Sequence, residues 1–105
     1  MLQPNKETDL SNLTTIQLEE LVVQLEKDLR HSGEIYEFKK LNAEGLSEEL
    51  TSLLSKLDRG SRLENILYRV DVNLNKIDTR LPHYQGLSRL IWNRIFQKVW
   101  FRKNF

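Results

Sequence analysis

A chain of 105 residues, 39% hydrophobic and 30% charged, has the balance of a folded domain and length for one modest core. It contains no cysteine, which excludes disulfides, thiolate metal sites and cysteine nucleophiles together. The net charge of +1 conceals a division, because residues 1–58 hold twelve acidic and six basic side chains and residues 59–105 three and ten. Such polarity serves either an acidic partner or cohesion between the halves of one domain, and cohesion is the expectation at this size.

Residues 1–13 are polar with one proline and read as a flexible tail, leaving 14–105 as a single helical domain. The segment MLQPNKETDL has neither the basic start nor the apolar run of a signal peptide. No apolar stretch approaches the ~20 residues of a membrane span, so the chain is expected to be soluble and cytoplasmic. The first helix is expected from Thr14 or Thr15, because Thr14 and Gln17 have capping-box spacing. Leu18, Leu21, Val22, Leu25 and Leu29 give it an apolar stripe. Ser32-Gly33 supplies the stop, since glycine accepts the left-handed conformation of a helix end.

Residues 34–46 read as a connection whose aromatic residues, Tyr36 and Phe38, cover one end of the core. A short helix is expected next, with Ser47 as N-cap and Glu48 and Glu49 near its positive end. Leu50, Leu53, Leu54 and Leu57 form its buried face, and Arg59-Gly60 ends it. Ser61 and Glu64 have the spacing of a second capping box. Leu63, Ile66, Leu67 and Val70 follow at i, i+3, i+4 and i+7, and Leu74, Ile77 and Leu81 continue that spacing. Asp71-Val72-Asn73 has poor helix propensity. A break is therefore expected there, with Asn73 as a fresh N-cap.

Pro82 disfavours helical geometry in the residue before it, and His83-Tyr84-Gln85-Gly86 reads as a loop. The last helix is expected over residues 87–102. Ile91, Trp92, Ile95, Phe96, Val99 and Trp100 cluster on one side of it, and Arg94, Lys98 and Arg102 form a basic stripe at i, i+4 and i+8. No acidic residue follows Asp78.

The run Leu67-Tyr68-Arg69-Val70-Asp71-Val72, with Asn73 and the pair Lys76-Ile77 after it, resembles a segment of small uncharacterised helical proteins of Bacteroidetes-type bacteria. Those proteins are similar in length and end in a basic, apolar helix, as IFQKVWFRKNF does here. The resemblance covers about the C-terminal half and implies a compact helical domain with no assigned activity. Leu67-Tyr68-Arg69 is also similar to the tripeptide of the LYR family, basic helical proteins of mitochondrial complex assembly and iron–sulfur delivery. There the motif lies near the start of the first helix, whereas here some sixty residues precede it, and the similarity is set aside.

No constellation in the chain points to catalysis. His31 and His83 stand far apart, and neither has a carboxylate or second histidine at i+4 for a metal pair. The four glycines are dispersed and build no phosphate-cradling loop. Glu48 and Glu49 are adjacent and so diverge by about 100° on a helix. Arg69 and Asp71 lie between apolar neighbours and suit a structural pair. No catalytic residue, metal, cofactor or small-molecule substrate is indicated.

The reading is an all-α bundle of four or five short helices, with the stretch over residues 61–81 packed between the first and last. Its expected role is a non-enzymatic protein–protein interaction module. The candidate partner-binding residues are Trp92, Phe96 and Trp100, which could also mediate self-association, together with Arg94, Lys98 and Arg102. The alternative is binding of nucleic acid or an acidic membrane surface through that basic, aromatic helix. Basic side chains paired with Glu19, Glu26 or Asp28 would favour internal cohesion instead.

Overall fold

The computed structural model describes residues 9–104. Among them the chain forms four α-helices and two 3₁₀ turns and no strand: α1 is Thr15–His31, α2 Ala43–Leu57, α3 Arg62–Val70 and α4 His83–Asn104. The 3₁₀ turns lie at Leu10–Asn12 and Leu74–Lys76. The all-α bundle expected from periodicity is present.

α1 begins as its sequence dictates. The Gln17 amide donates to Thr14 Oγ1 at 3.2 Å, and the Thr14 amide donates to Gln17 Oε1 at 2.8 Å, so each side chain satisfies a donor that the helix leaves open. At the other end Gly33 adopts φ 93°. That conformation lets the Gly33 amide reach the Arg30 carbonyl and the Glu34 amide the Leu29 carbonyl, the two bonds of a Schellman stop. Leu18, Leu21, Leu25 and Leu29 face inward and are buried.

The connection after α1 is extended, with Tyr36 and Phe38 turned toward the core and Ile35 and Glu37 outward. It is fastened by carboxylates of both flanking helices. Glu26 of α1 accepts from the Phe38 amide at 2.8 Å. Glu49 of α2 accepts from the Lys40 amide at 2.7 Å, the Lys39 amide at 2.9 Å and the Tyr36 hydroxyl. This fastening corrects the expected start of α2. Asn42, not Ser47, is the N-cap, its side chain accepting from the Gly45 amide at 2.7 Å. Ser47 therefore lies inside α2, and Glu49 holds the connection rather than facing the first turn of the helix. Leu46, Leu50 and Leu54 are fully buried, and Leu57 nearly so.

Ser61 does precede α3, but its side chain makes no cap hydrogen bond. Its ψ of 7° departs from the extended conformation that turns an N-cap hydroxyl toward the first amides. α3 ends where propensity places the break. Asp71 takes a left-handed conformation, φ 67°, and its amide donates to the Leu67 carbonyl. Asn73 then caps a single 3₁₀ turn through the Asn75 amide at 3.0 Å. The apolar stripe expected over residues 61–81 consequently divides. Leu63, Ile66 and Val70 are buried, Leu67 is partly buried, and Leu74 is 50% exposed.

α4 starts at His83, not after Gly86. Pro82 sits just ahead of the first turn, where a missing N–H costs nothing, and its carbonyl accepts from the Gly86 amide at 2.9 Å. Gly86 is there for proximity: a Cβ would stand 3.1 Å from Ile77 Cγ1 and 3.3 Å from the Asp78 carbonyl. α4 packs most extensively on α2 and also meets α1 and α3, and α3 lies against both α1 and α4.

The tail expected over residues 1–13 falls partly outside the described residues, and its last five do not conform to it. Asp9 caps the first 3₁₀ turn through the Ser11 amide at 3.0 Å, and Leu10 and Leu13 enter the core. Two leucines flanking a capped turn can bury apolar surface without a helical period, so periodicity did not show them. Leu10→Ala is expected to lower the unfolding free energy by about 2 kcal/mol, read from the urea midpoint. A change below about 0.5 kcal/mol, the scale of surface substitutions, would return these residues to the tail.

Candidate functional site on the last helix

The six candidate residues of α4 separate into two sets. Trp92 and Phe96 are core residues, 2% and 7% exposed, and Trp100 is partly buried against the same core. The Phe38 ring lies 5.5 Å from that of Trp92, so the connection after α1 covers the face that sequence alone offered to a partner. Trp100 makes an edge contact with Phe101, which is 43% exposed. The aromatic face is mainly interior.

The basic stripe runs along the seam where α4 meets α1 and the end of α3. Lys98 Nζ donates to Asp28 Oδ2 at 2.8 Å and to the Arg69 carbonyl at 3.2 Å. Asp28 is itself buried and also accepts from Gln24 Nε2 at 3.1 Å. Arg102 donates to Gln24 Oε1 at 2.6 Å. Arg94 donates to the Asp71 carbonyl at 3.2 Å and to its carboxylate at 3.4 Å. Two of the three cations thus meet the carbonyl end of α3, where positive charge is favoured. Beyond the stripe, Lys103 reaches Glu20 at 2.6 Å and Arg62 forms a two-pronged pair with Glu34.

Three ion pairs, Lys98–Asp28, Lys103–Glu20 and Arg62–Glu34, join the basic half of the sequence to the acidic half. Asp28 is the partner that sequence reasoning named for this outcome, and Glu26 instead holds the Phe38 amide. Among the described residues Arg69 and Asp71 form no ion pair, and the Asp71 carboxylate is met by Arg94 of α4. The Arg62 guanidinium holds the Glu34 carboxyl below its ordinary range, and Arg80 with its own amide holds Asp78 down to about 2.

A different surface presents the chemistry of an interface. Tyr68 is 88% exposed and Leu74 50% exposed. Together with Leu67 and Val72 they line a groove of about 260 Å³ whose remaining walls are Glu64 and Asp71. Tyr68 stands outside the apolar register of α3, and that exception was the one signal in the sequence. Leu74 gave none, because its spacing matched the buried stripe.

Among the described residues no cluster of His, Asp or Glu is placed to hold a metal ion, and no helix is long and apolar enough to cross a membrane. No family model matches the chain, and neither the curated proteins nor the solved structures contain a match. The fold defines a small helical bundle, and its surface has to be read from its own chemistry.

Proposed function

We propose that the protein is a non-enzymatic interaction module that docks a segment of another protein in the groove at the end of α3. The observation that carries this reading is Tyr68, an aromatic side chain 88% exposed beside a half-exposed Leu74. Aromatic side chains at the centre of a surface depression commonly dominate binding energy, because they exclude water over a large area with few rotamers to fix. Glu64 and Asp71 on the walls select the partner's charge. Arg94 draws on Asp71 at 3.4 Å, but that side chain is 80% exposed and open to a second cation. The occupant is accordingly an apolar segment carrying Lys or Arg. The proposal is set in a bacterium, as the resemblance over residues 67–77 implies, and in its cytoplasm, which a chain without cysteine fits. The anionic-partner reading has less support, since Arg94, Lys98 and Arg102 are engaged within the fold.

The test is affinity capture with the whole chain, its Tyr68→Ser variant and an Ile16→Ser control on the outer face of α1. Both substitutions are at exposed positions and should change stability by no more than about 0.5 kcal/mol. A protein retained by the parent and the control, but bound roughly tenfold more weakly by Tyr68→Ser, supports the groove. Its affinity should also fall with salt. Equal retention by all three baits would overturn the assignment.

A further inference from the structure

Two large apolar side chains stand exposed on the outer face of α1, Ile16 at 69% and Val23 at 64%. They are seven residues apart, two turns along one side of the helix, and Arg30 repeats the interval. Neither core packing nor local preference accounts for them. Both are β-branched, and at an exposed helical position they rank below Ala, Lys or Glu as helix formers.

The stripe has defined margins. On one flank Glu20 is paired with Lys103, and on the other Glu26 holds the Phe38 amide. Between these flanks, at 100° per residue, fall Ile16, Glu19, Val23, Lys27 and Arg30, all exposed. Glu19, Lys27 and Arg30 form no ion pair among the described residues. Acid near the start and base near the end suit the dipole of α1 itself. That explains the charges and leaves the two aliphatic side chains without a reason.

The order of charge along the stripe names an occupant for it. A parallel copy of α1 would set like charges side by side, which is unfavourable. An antiparallel copy sets the acidic start of each helix against the basic end of the other. Val23 then meets Val23 of the second copy close to the two-fold axis. Glu19 faces Arg30 of the second copy, and the aliphatic stem of that arginine covers Ile16. One patch thus complements itself, which is the requirement of a closed, isologous dimer.

We propose that the chain pairs with a second copy of itself through the outer face of α1, the two helices antiparallel. The contact spans about four turns of helix, small among interfaces, and the dimer is expected to dissociate at roughly 0.1 mM. No residue of α1 lines the Tyr68 groove. A change such as Ile16→Ser therefore weakens the pairing and leaves the groove intact, and the two proposals fail separately.

The experiment combines sedimentation equilibrium of the whole chain, up to about 1 mM, with thiol cross-linking. The chain has no cysteine, so one introduced thiol reports only its own surroundings. A short bis-maleimide should join Val23→Cys chains in proportion to the dimer seen by sedimentation, and should not join Ser55→Cys chains, whose thiol lies on the exposed side of α2. Glu19→Arg should weaken dimerisation about tenfold. Glu19→Arg combined with Arg30→Glu should restore it, a rescue that general loss of stability or solubility would not give. All these positions are exposed, so the variants should fold. Monomer at every concentration would overturn the proposal. So would a dimer indifferent to Glu19→Arg, a double variant no better than the single, or equal cross-linking from positions 23 and 55.

Discussion

Lys98→Ala is expected to lower the unfolding free energy by about 3 kcal/mol, because it strands the Asp28 carboxylate in the interior. The Asp28 side chain is 7% exposed and that of Lys98 22%, so water cannot readily replace the lost ammonium. Gln24 would still donate to Asp28, but a neutral amide does not balance a charge. The Arg69 carbonyl at the end of α3 loses a donor as well. Asp28→Leu with Lys98→Met should recover most of the loss and come within about 1 kcal/mol of the parent, since apolar replacements of a buried pair are often neutral. Urea unfolding of Asp28→Leu, Lys98→Met and the double variant measures the coupling directly. Near-additive losses would mean that the pair does not act as a unit.

Glu49→Ala should be nearly as costly, at about 2 kcal/mol, because one carboxylate serves the Tyr36 hydroxyl and the amides of Lys39 and Lys40. Exposure of part of this network limits the figure. Its pH dependence follows from the same contacts. Partial burial works to raise the Glu49 carboxyl, but the Tyr36 hydroxyl and the two amides outweigh it, and the group lies below its ordinary value of 4.5. In acid the unfolded chain therefore takes up the proton first. The contribution of Glu49 is complete above pH 4.5 and disappears as pH falls through the folded value.

Tyr36 behaves in the opposite sense. Partial burial and the Glu49 carboxylate push its phenol from 10.0 to about 12. The folded chain retains a proton that the unfolded chain has lost, so this contribution is complete below pH 10 and is lost as pH rises toward 12. Thermal melts between pH 3 and 11.5 should show both declines in the parent, and Glu49→Ala should flatten each of them. An unchanged alkaline limb in that variant would separate Tyr36 from Glu49. Loosening of the connection should appear at Trp92, whose ring meets Phe38 at 5.5 Å.

What was legible in the sequence was local. The capping box at Thr14 and Gln17, the glycine stop at residue 33 and the break at residues 71–73 each depend on a few neighbouring residues. Backbone geometry favours such signals, although the same capping-box spacing at Ser61 and Glu64 makes no cap hydrogen bond. The candidate site was only half legible. Periodicity identified the aromatic face of α4 correctly, but the same pattern describes a core face and a docking face, and the choice belongs to Phe38, more than fifty residues earlier. Ser47 and Asn42 are both good cap residues, and Glu49 decides between them by holding residues 39 and 40 extended. The basic stripe at Arg94, Lys98 and Arg102 has the spacing of a nucleic-acid or membrane surface, yet Lys98 finds its carboxylate seventy positions away at Asp28.

The sequence by itself thus determined that the chain is all-helical, where α1 and α3 start and stop and which leucines of α1 face inward, because those properties follow from turn-by-turn periodicity and from the conformational limits of single residues. Only the tertiary structure decided which charges remain for a partner. Burial and pairing depend on which helices come to lie side by side, and local spacing carries no record of that. Packing placed Trp92 and Phe96 within the fold, engaged the basic stripe in internal hydrogen bonds, and left Tyr68 and Leu74 exposed.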